Sequence, residues 1–193
     1  MIDYITGTVT ELNPAFAVVE CNGIGYSINI SLNTFSALEK ETTCRILIHE
    51  AIREDAHLLY GFATADERDL FRQLITVSGV GAGTARMMLS SVTPSDLREA
   101  IISGNVVILK GVKGIGLKTA QRIIVDLKDK IGKHAVSGEI LAFSDNTARE
   151  EALSALVMLG FARSSVSKVI DNLLRENKKL QVEEIVRKAL KLL

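Results

Sequence analysis

The chain has 193 residues, 47% hydrophobic and 24% charged, with 23 basic and 23 acidic side chains and a formal net charge of zero. That composition reads as soluble and globular, and the length suits one ordinary domain or two to three small ones. No apolar run approaches membrane-spanning length, and "MIDYITGTVTEL" carries Asp3 rather than a basic start and apolar core, so neither a membrane span nor a signal peptide is expected.

Zero net charge argues against a nucleic-acid binder, but its distribution argues differently. Residues 1–63 hold three Lys/Arg against eight Asp/Glu, residues 64–131 ten against seven, and residues 132–193 ten against eight. An acidic front thus precedes a mildly basic middle, and such asymmetry matters more than the sum when a partner is charged.

The first third alternates. "YITGTVTEL", "FAVVECNGIGYSINIS" and "TTCRILIHEAIREDAHLLYGF" are short runs rich in Val, Ile, Thr, Tyr and Phe, punctuated at Asn13-Pro14 and Asn22-Gly23. Asn22-Gly23 is a hairpin signal, because a type I′ turn needs positive φ at both central residues. "NTFSALEK" reads as a short helix crossing between strands. About five strands and one helix suggest a small closed barrel of the oligonucleotide-binding type, equally compatible with a barrel that binds nothing.

From Ala65 the period becomes helical. Leu70, Phe71, Leu74 and Ile75 share one face, and short turns at "SGVGAG", "VTPSD" and "KGIGLK" separate later helices. Thr93 or Ser95 stands at the cap of "PSDLREAIIS", with Pro94 in its first turn. Residues 132–146 lose periodicity and read as a flexible linker. Beyond it, 147–159, 163–175 and 181–192 form three short helical patterns, enough for a minimal three-helix domain.

Cys21 and Cys44 lack paired spacing and read as buried thiols in a reducing cytosol. His49, His57 and His134 are scattered, so no metal and no cofactor are expected.

The middle holds a repeat. "TVSGVGAGTARMMLSSV" (76–92) aligns with "GVKGIGLKTAQRIIVDL" (111–127) at an offset of 35 residues. Val77/Val112, Gly79/Gly114, Gly81/Gly116, Thr84/Thr119 and Ala85/Ala120 match, with Val80 against Ile115. Apolar residues follow at i, i+3, i+4 and i+7 in both copies: Ala85, Met88, Leu89, Val92 and Ala120, Ile123, Ile124, Leu127. Glycines permit positive φ and close backbone approach. The helix that follows offers unpaired N–H groups and its positive dipole end, which suit a phosphate and read no base. A nucleotide-binding P-loop is excluded on the letters: Lys118-Thr119 fits, but Val112 and Leu117 stand where its two glycines belong. The dinucleotide pattern also fails, because Thr119 occupies its third glycine position. A hairpin that merely turns on glycine is the bland alternative, and the second matched copy weighs against it.

These doubled G-[VI]-G hairpins are helix-hairpin-helix motifs. With "NGIGY", "REDAHLLYGF" (53–62), "ERDLFRQLI" (67–75), "VSGVGAGTA" and "VKGIGLKTAQRIIVDLKDK", the chain resembles, nearly end to end, the RuvA family of bacterial Holliday-junction-binding subunits. The linker is its least typical stretch. The resemblance implies a multidomain α+β fold: an N-terminal OB-fold β-barrel (1–63), a central all-α domain with two helix-hairpin-helix motifs (64–131), the linker, and a small three-helix, UBA-like domain (147–193). It implies sequence-independent binding of four-way junction DNA in the cytoplasm, in recombination, repair and the SOS response. The implied partners are a RuvB-type hexameric ATPase, a RuvC-type resolvase, and further copies as a homotetramer or face-to-face octamer.

Residue by residue, the resemblance gives Gly79, Gly81, Gly114 and Gly116 a backbone role at DNA phosphates, with Thr84, Lys113, Lys118 and Thr119 beside them. Gly83 departs from the family's usual Lys, and Arg86, one turn on, is expected to compensate. Glu54 and Asp55, flanked by Arg53, match an acidic pin that repels phosphates at the crossover; by pattern alone they are a solvated turn. Leu156, Leu159, Phe161, Val166 and Ile170 are the apolar candidates for the ATPase contact, although a three-helix domain must bury most of them. No catalytic residue is assigned. The alternatives are a helix-hairpin-helix repair enzyme, a glycosylase or nuclease with Asp126 as its acid, and a barrel that binds single strands. Neither an acidic cluster for two metals nor a set of stacking aromatics supports them.

Overall fold

The computed structural model describes the backbone of residues 1–139, 144–177 and 180–193, and side chains outside 132–147, 176 and 178–179. It separates into two compact units, Met1–Ala135 and Val136–Leu193.

The first unit begins with a closed five-stranded barrel. Its strands are β1 (Tyr4–Leu12), β2 (Phe16–Cys21), β3 (Ile24–Ile30), β4 (Thr43–Ile52) and β5 (His57–Phe62), with helix α1 (Leu32–Leu38) between β3 and β4. The order around the barrel is β1-β2-β3-β5-β4, with β3 and β5 parallel and the other pairs antiparallel. This is the OB-type barrel that the strand pattern suggested. The β2–β3 turn has φ of 51° at Asn22 and 81° at Gly23, the double positive φ that Asn-Gly supplies. Alternation buries Ile5, Ala17, Val19, Ile28, Ile30, Ile46 and Ile48 inside.

Among the described residues the helices α2 (Ala65–Leu74), α3 (Ala82–Ser91), α4 (Pro94–Ser103), α5 (Val106–Lys110), α6 (Leu117–Glu139), α7 (Ser144–Met158), α8 (Arg163–Glu176) and α9 (Val182–Ala189) follow. Thr93 caps α4 by accepting from the Asp96 N–H, with Pro94 in the first turn, as expected. The core of the helical region continues into the barrel: Tyr60 and Phe62 of β5 lie in one buried cluster with Leu70, Phe71 and Leu74 of α2. Barrel and hairpin helices therefore share one compact unit.

A buried polar node reinforces this joint. Thr64 caps α2 by accepting from the Glu67 N–H at 3.2 Å, but the Glu67 carboxylate does not reach back to close a capping box. It turns into the interior, where it is 2% exposed, and accepts from Ser31 Oγ and from Thr34 Oγ1 at 2.7 Å. Ser31 Oγ in turn accepts from the Thr34 N–H, and Thr34 Oγ1 from the Ala63 N–H. Each hydroxyl thus spends its proton on the carboxylate. Burial pushes the Glu67 carboxyl up from its ordinary value, while the Ser31 and Thr34 hydrogen bonds oppose that rise.

A raised folded-state value means this contribution is fully present below the unfolded value of 4.5 and is lost as pH rises through the folded one. Relative to wild type, Glu67→Gln should therefore gain stability as pH rises above the unfolded value of 4.5, in urea titrations. Glu67→Ala should cost about 2–3 kcal/mol at neutral pH, because it strands two buried hydroxyls. A wild-type-minus-Gln difference that does not change with pH would contradict this.

The predicted linker is reshaped at its ends. Residues 132–139 continue α6, and α7 already begins at Ser144. A backbone helix needs no apolar stripe, so lost periodicity did not mark its end. The centre of that expectation, 140–143, lies outside the described residues.

In the second unit, α7, α8 and α9 pack around Ala152, Leu153, Leu156, Val166, Ile170 and Ile185. Arg149 of α7 joins α8 by hydrogen bonds to Asp171 at 2.8 Å and Ser167 at 3.0 Å. The Arg149 hydrogen bond holds the Asp171 carboxyl below its ordinary value.

Candidate nucleic-acid interface

The 35-residue repeat is a repeat of geometry as well as letters. In the first copy the Val77 N–H reaches the Leu74 carbonyl at 3.0 Å, Val80 reaches Val77 at 3.0 Å, and Ala85 reaches Gly81 at 2.9 Å. In the second copy Val112 reaches Leu109 at 3.3 Å, Ile115 reaches Val112 at 3.1 Å, and Ala120 reaches Gly116 at 2.9 Å. Gly79 and Gly114 both have φ of 92°, a region that L side chains rarely adopt. Val80 and Ile115 are each buried to the same degree and anchor the turns in the core.

Gly81 and Gly116 are different. Gly81 has φ of −87°, open to any residue, and Gly116 is not among the positive-φ positions. A Cβ at either would meet nothing within 4 Å. Neither backbone conformation nor packing demands glycine there. What their smallness preserves is approach to the backbone from outside. Gly81 is the N-cap of α3 and makes no side-chain cap hydrogen bond, so the first N–H groups of α3 receive no side-chain acceptor from their cap.

The two turns lie side by side. A Cβ on Gly79 would sit 4.0 Å from Thr119 Oγ1, and Arg122 of α6 donates to the Ser78 carbonyl at 3.3 Å. Lys113 and Lys118 are exposed, and among the described residues neither makes an ion pair. Their partners by repeat are Ser78 and Gly83, so the second turn carries two cations where the first carries none. Two turns of matched geometry, the second flanked by exposed Lys113 and Lys118, complete the arrangement.

Three family models match the chain: RuvA N terminal domain over residues 1–61, SAM-like helix-hairpin-helix tandem over 71–129, and RuvA C-terminal domain over 147–193. A Bacteroides fragilis protein named Holliday junction branch migration complex subunit RuvA is 50% identical over 99% of both chains. Proteins of the same name from Porphyromonas gingivalis and Christiangramia forsetii are 49% and 50% identical, over 100% and 99% of both chains. The chain belongs to the RuvA family.

Arg53, Glu54, Asp55 and Ala56 form the tip between β4 and β5, closed by the Arg53 N–H on the Ala56 carbonyl at 2.8 Å. Glu54 and Asp55 are exposed, and among the described residues they have no ion-pair partner. Thr84 and Thr119 are half-buried in the first turns of their helices.

Arg86 departs from expectation. Rather than facing the first turn, its guanidinium donates to the Ala15 carbonyl at 2.7 Å and to Asn29 Oδ1 at 3.4 Å, both in the barrel. The expected compensation for Gly83 is thus replaced by a brace. The C-terminal candidates also divide. Leu156, Val166 and Ile170 are fully buried core residues rather than partner-facing ones, and Phe161 packs partly against that core. Leu159 alone is exposed, at 61%, beside Met158 at 86%. The three-helix unit has too few residues to spare the others from its core.

Sequence reading missed the brace around Arg86 and the node around Glu67, whose partners lie 33 to 71 residues away and leave no local pattern. Arg122 was also missed; its position four residues after Lys118 on one helix face was the available signal. Among the described residues no group of three metal-ligating side chains gathers, and no helix is long and apolar enough to cross a membrane.

Proposed function

We propose that this chain is the DNA-binding, non-catalytic subunit that grips four-way junctions without reading sequence and brings a RuvB-type ATPase to them for branch migration. The observation that carries this reading is the pair of matched cradles. Gly81 and Gly116 leave open backbone that neither fold nor packing requires to be open, next to Lys113, Lys118, Thr84 and Thr119. A backbone N–H array holds a phosphate and carries no base information, which suits a subunit whose partner must move along any DNA. The relatives' shared name supports the junction as substrate and a branch-migration complex as setting.

The barrel (1–63) presents the Glu54–Asp55 tip, the helical region (64–131) holds the arms, and 147–193 meets the motor through exposed Leu159 and its neighbours, connected by 132–146. A four-fold tetramer brings four acidic tips to the crossover, and two tetramers face to face bring four to each side, where they repel phosphates and keep strands apart. A RuvC-type resolvase acts on the same open junction.

Neutralising the tip tests part of this directly. Glu54→Gln with Asp55→Gln should tighten junction binding about tenfold, the scale of 1.4 kcal/mol, in titrations at fixed salt. Weaker binding by a folded assembly would contradict the assignment. The whole reading is tested by gel shifts of a four-way junction, a duplex and a single strand at fixed Mg²⁺ and salt. Preferential junction binding without cleavage supports it. Equal affinity for junction and duplex overturns it, and cleavage in the absence of the ATPase favours a repair enzyme.

A further inference from the structure

The helix that opens at the first cradle, α3, is held by the barrel at two places. At its C-terminal end, Asn33 Nδ2 of α1 donates to the Leu89 carbonyl and, at 3.4 Å, to the Val92 carbonyl. These satisfy acceptors that a helix end leaves without an internal partner. The Leu32 N–H also donates to Ser90 Oγ at 3.1 Å. Near its middle, Arg86 reaches the Ala15 carbonyl and Asn29 Oδ1. Asn29 is the second link: its Nδ2 donates at 3.2 Å to the Leu59 carbonyl of β5, the strand that leaves the acidic tip. A continuous polar path therefore runs from the tip strand through Asn29 and Arg86 into the helix whose first residue borders Gly81.

We infer that Arg86 and Asn33 are positioning residues that fix the first cradle relative to the acidic tip, and that this fixed spacing selects a four-way junction over a duplex. The inference rests on the proposed function. A ten-residue helix is a rod of roughly 15 Å, so loosening either grip displaces its DNA-facing end. A plain duplex engages one cradle pair and tolerates such a shift by moving bodily with it. A junction has a fixed centre, and its arms meet the cradles only when every cradle stands at the right distance from the tips. Arg86 suits this role because its planar guanidinium can fork between two acceptors, and charge-assisted bonds of this kind are the stronger ones.

The test uses the full chain with Arg86→Ala, Arg86→Lys, Asn33→Ala and the Arg86→Ala/Asn33→Ala pair. Junction and duplex affinities are measured across a salt series. Junction affinity should fall roughly tenfold in Arg86→Ala, the scale of one charge-assisted hydrogen bond, and duplex affinity less than about twofold. The salt slope should not change, because no phosphate contact is lost. Arg86→Lys, which keeps one donor toward the Ala15 carbonyl, should restore most of the selectivity. Spin labels at Ile52→Cys and Ser78→Cys, with Cys21 and Cys44 replaced by serine and labelled chains diluted into unlabelled ones, should show a broader distance distribution in the paired variant.

If junction and duplex binding fall together and the salt slope drops by about 0.9, Arg86 touches a phosphate and the inference is overturned. Unchanged selectivity in the folded pair overturns it as well. A wild-type chain without junction preference instead overturns the proposed function, and that result is visible before any substitution is made.

Discussion

Replacing both Gly81 and Gly116 by glutamate should abolish DNA binding while leaving the melting temperature close to wild type. A side chain at either position meets nothing within 4 Å, and Gly81 sits at an ordinary φ of −87°, so the fold tolerates the change. The new carboxylates occupy the approach that a phosphate needs and add like charge beside it. Two cradles lost per chain should lower affinity on the order of 100-fold or more for junction and duplex alike. The slope of log K against log salt should fall by about 0.9 for each phosphate released. Glutamate at Gly79 and Gly114 is the informative contrast. At φ of 92° it strains the turn, so those variants should lose stability along with binding. Anisotropy titrations with parallel thermal melts check both. Near-wild-type binding by the folded Gly81/Gly116 variant would show that the open backbone holds no phosphate.

The second large effect concerns the joint between barrel and hairpins. Phe71 is fully buried, with its ring 4.8 Å from Phe62, 5.3 Å from Tyr60 and 5.3 Å from His49, centre to centre. Three of these four rings are closely packed side chains of the two elements that must move as one. Phe71→Ala removes a large buried ring and should cost about 3–5 kcal/mol. For a unit of this size that lowers the melting temperature by roughly 10 °C or more. Because the core is shared, hydrogen exchange should accelerate together in β4, β5 and α3, not in the helices alone. Acceleration confined to α2 and α3, with the barrel unaffected, would mean that barrel and hairpins fold independently.

What was legible in the sequence was local. The Asn22-Gly23 turn, the alternating strands and the Thr93 cap follow from short-range chemistry, and each is found where the letters put it. The doubled hairpin was legible because Val, Gly, Gly, Thr and Ala recur at one offset, and the same residues repeat the same hydrogen bonds. What was not legible was long-range. Arg86 reads as a surface cation one turn beyond a phosphate site, and only the fold brings Ala15 and Asn29 within its reach. Nothing local in the letters singles out Glu67, and only the fold sets Ser31 and Thr34 against it. The C-terminal apolar set shows the same limit: helical spacing marks Leu156 and Leu159 alike, yet the first is core and the second surface.

The paired cradles are expected to hold junction DNA by its backbone, whatever its sequence. The most direct measurement is competition against a labelled four-way junction at one salt concentration. One competitor is an unlabelled junction with unrelated arms, and the other is a duplex with the labelled junction's own arm sequence. The unrelated junction should compete as well as the original, and the duplex should need at least about ten times more, a gap of roughly 1.4 kcal/mol. A duplex that competes equally, or an unrelated junction that does not compete, would contradict the claim.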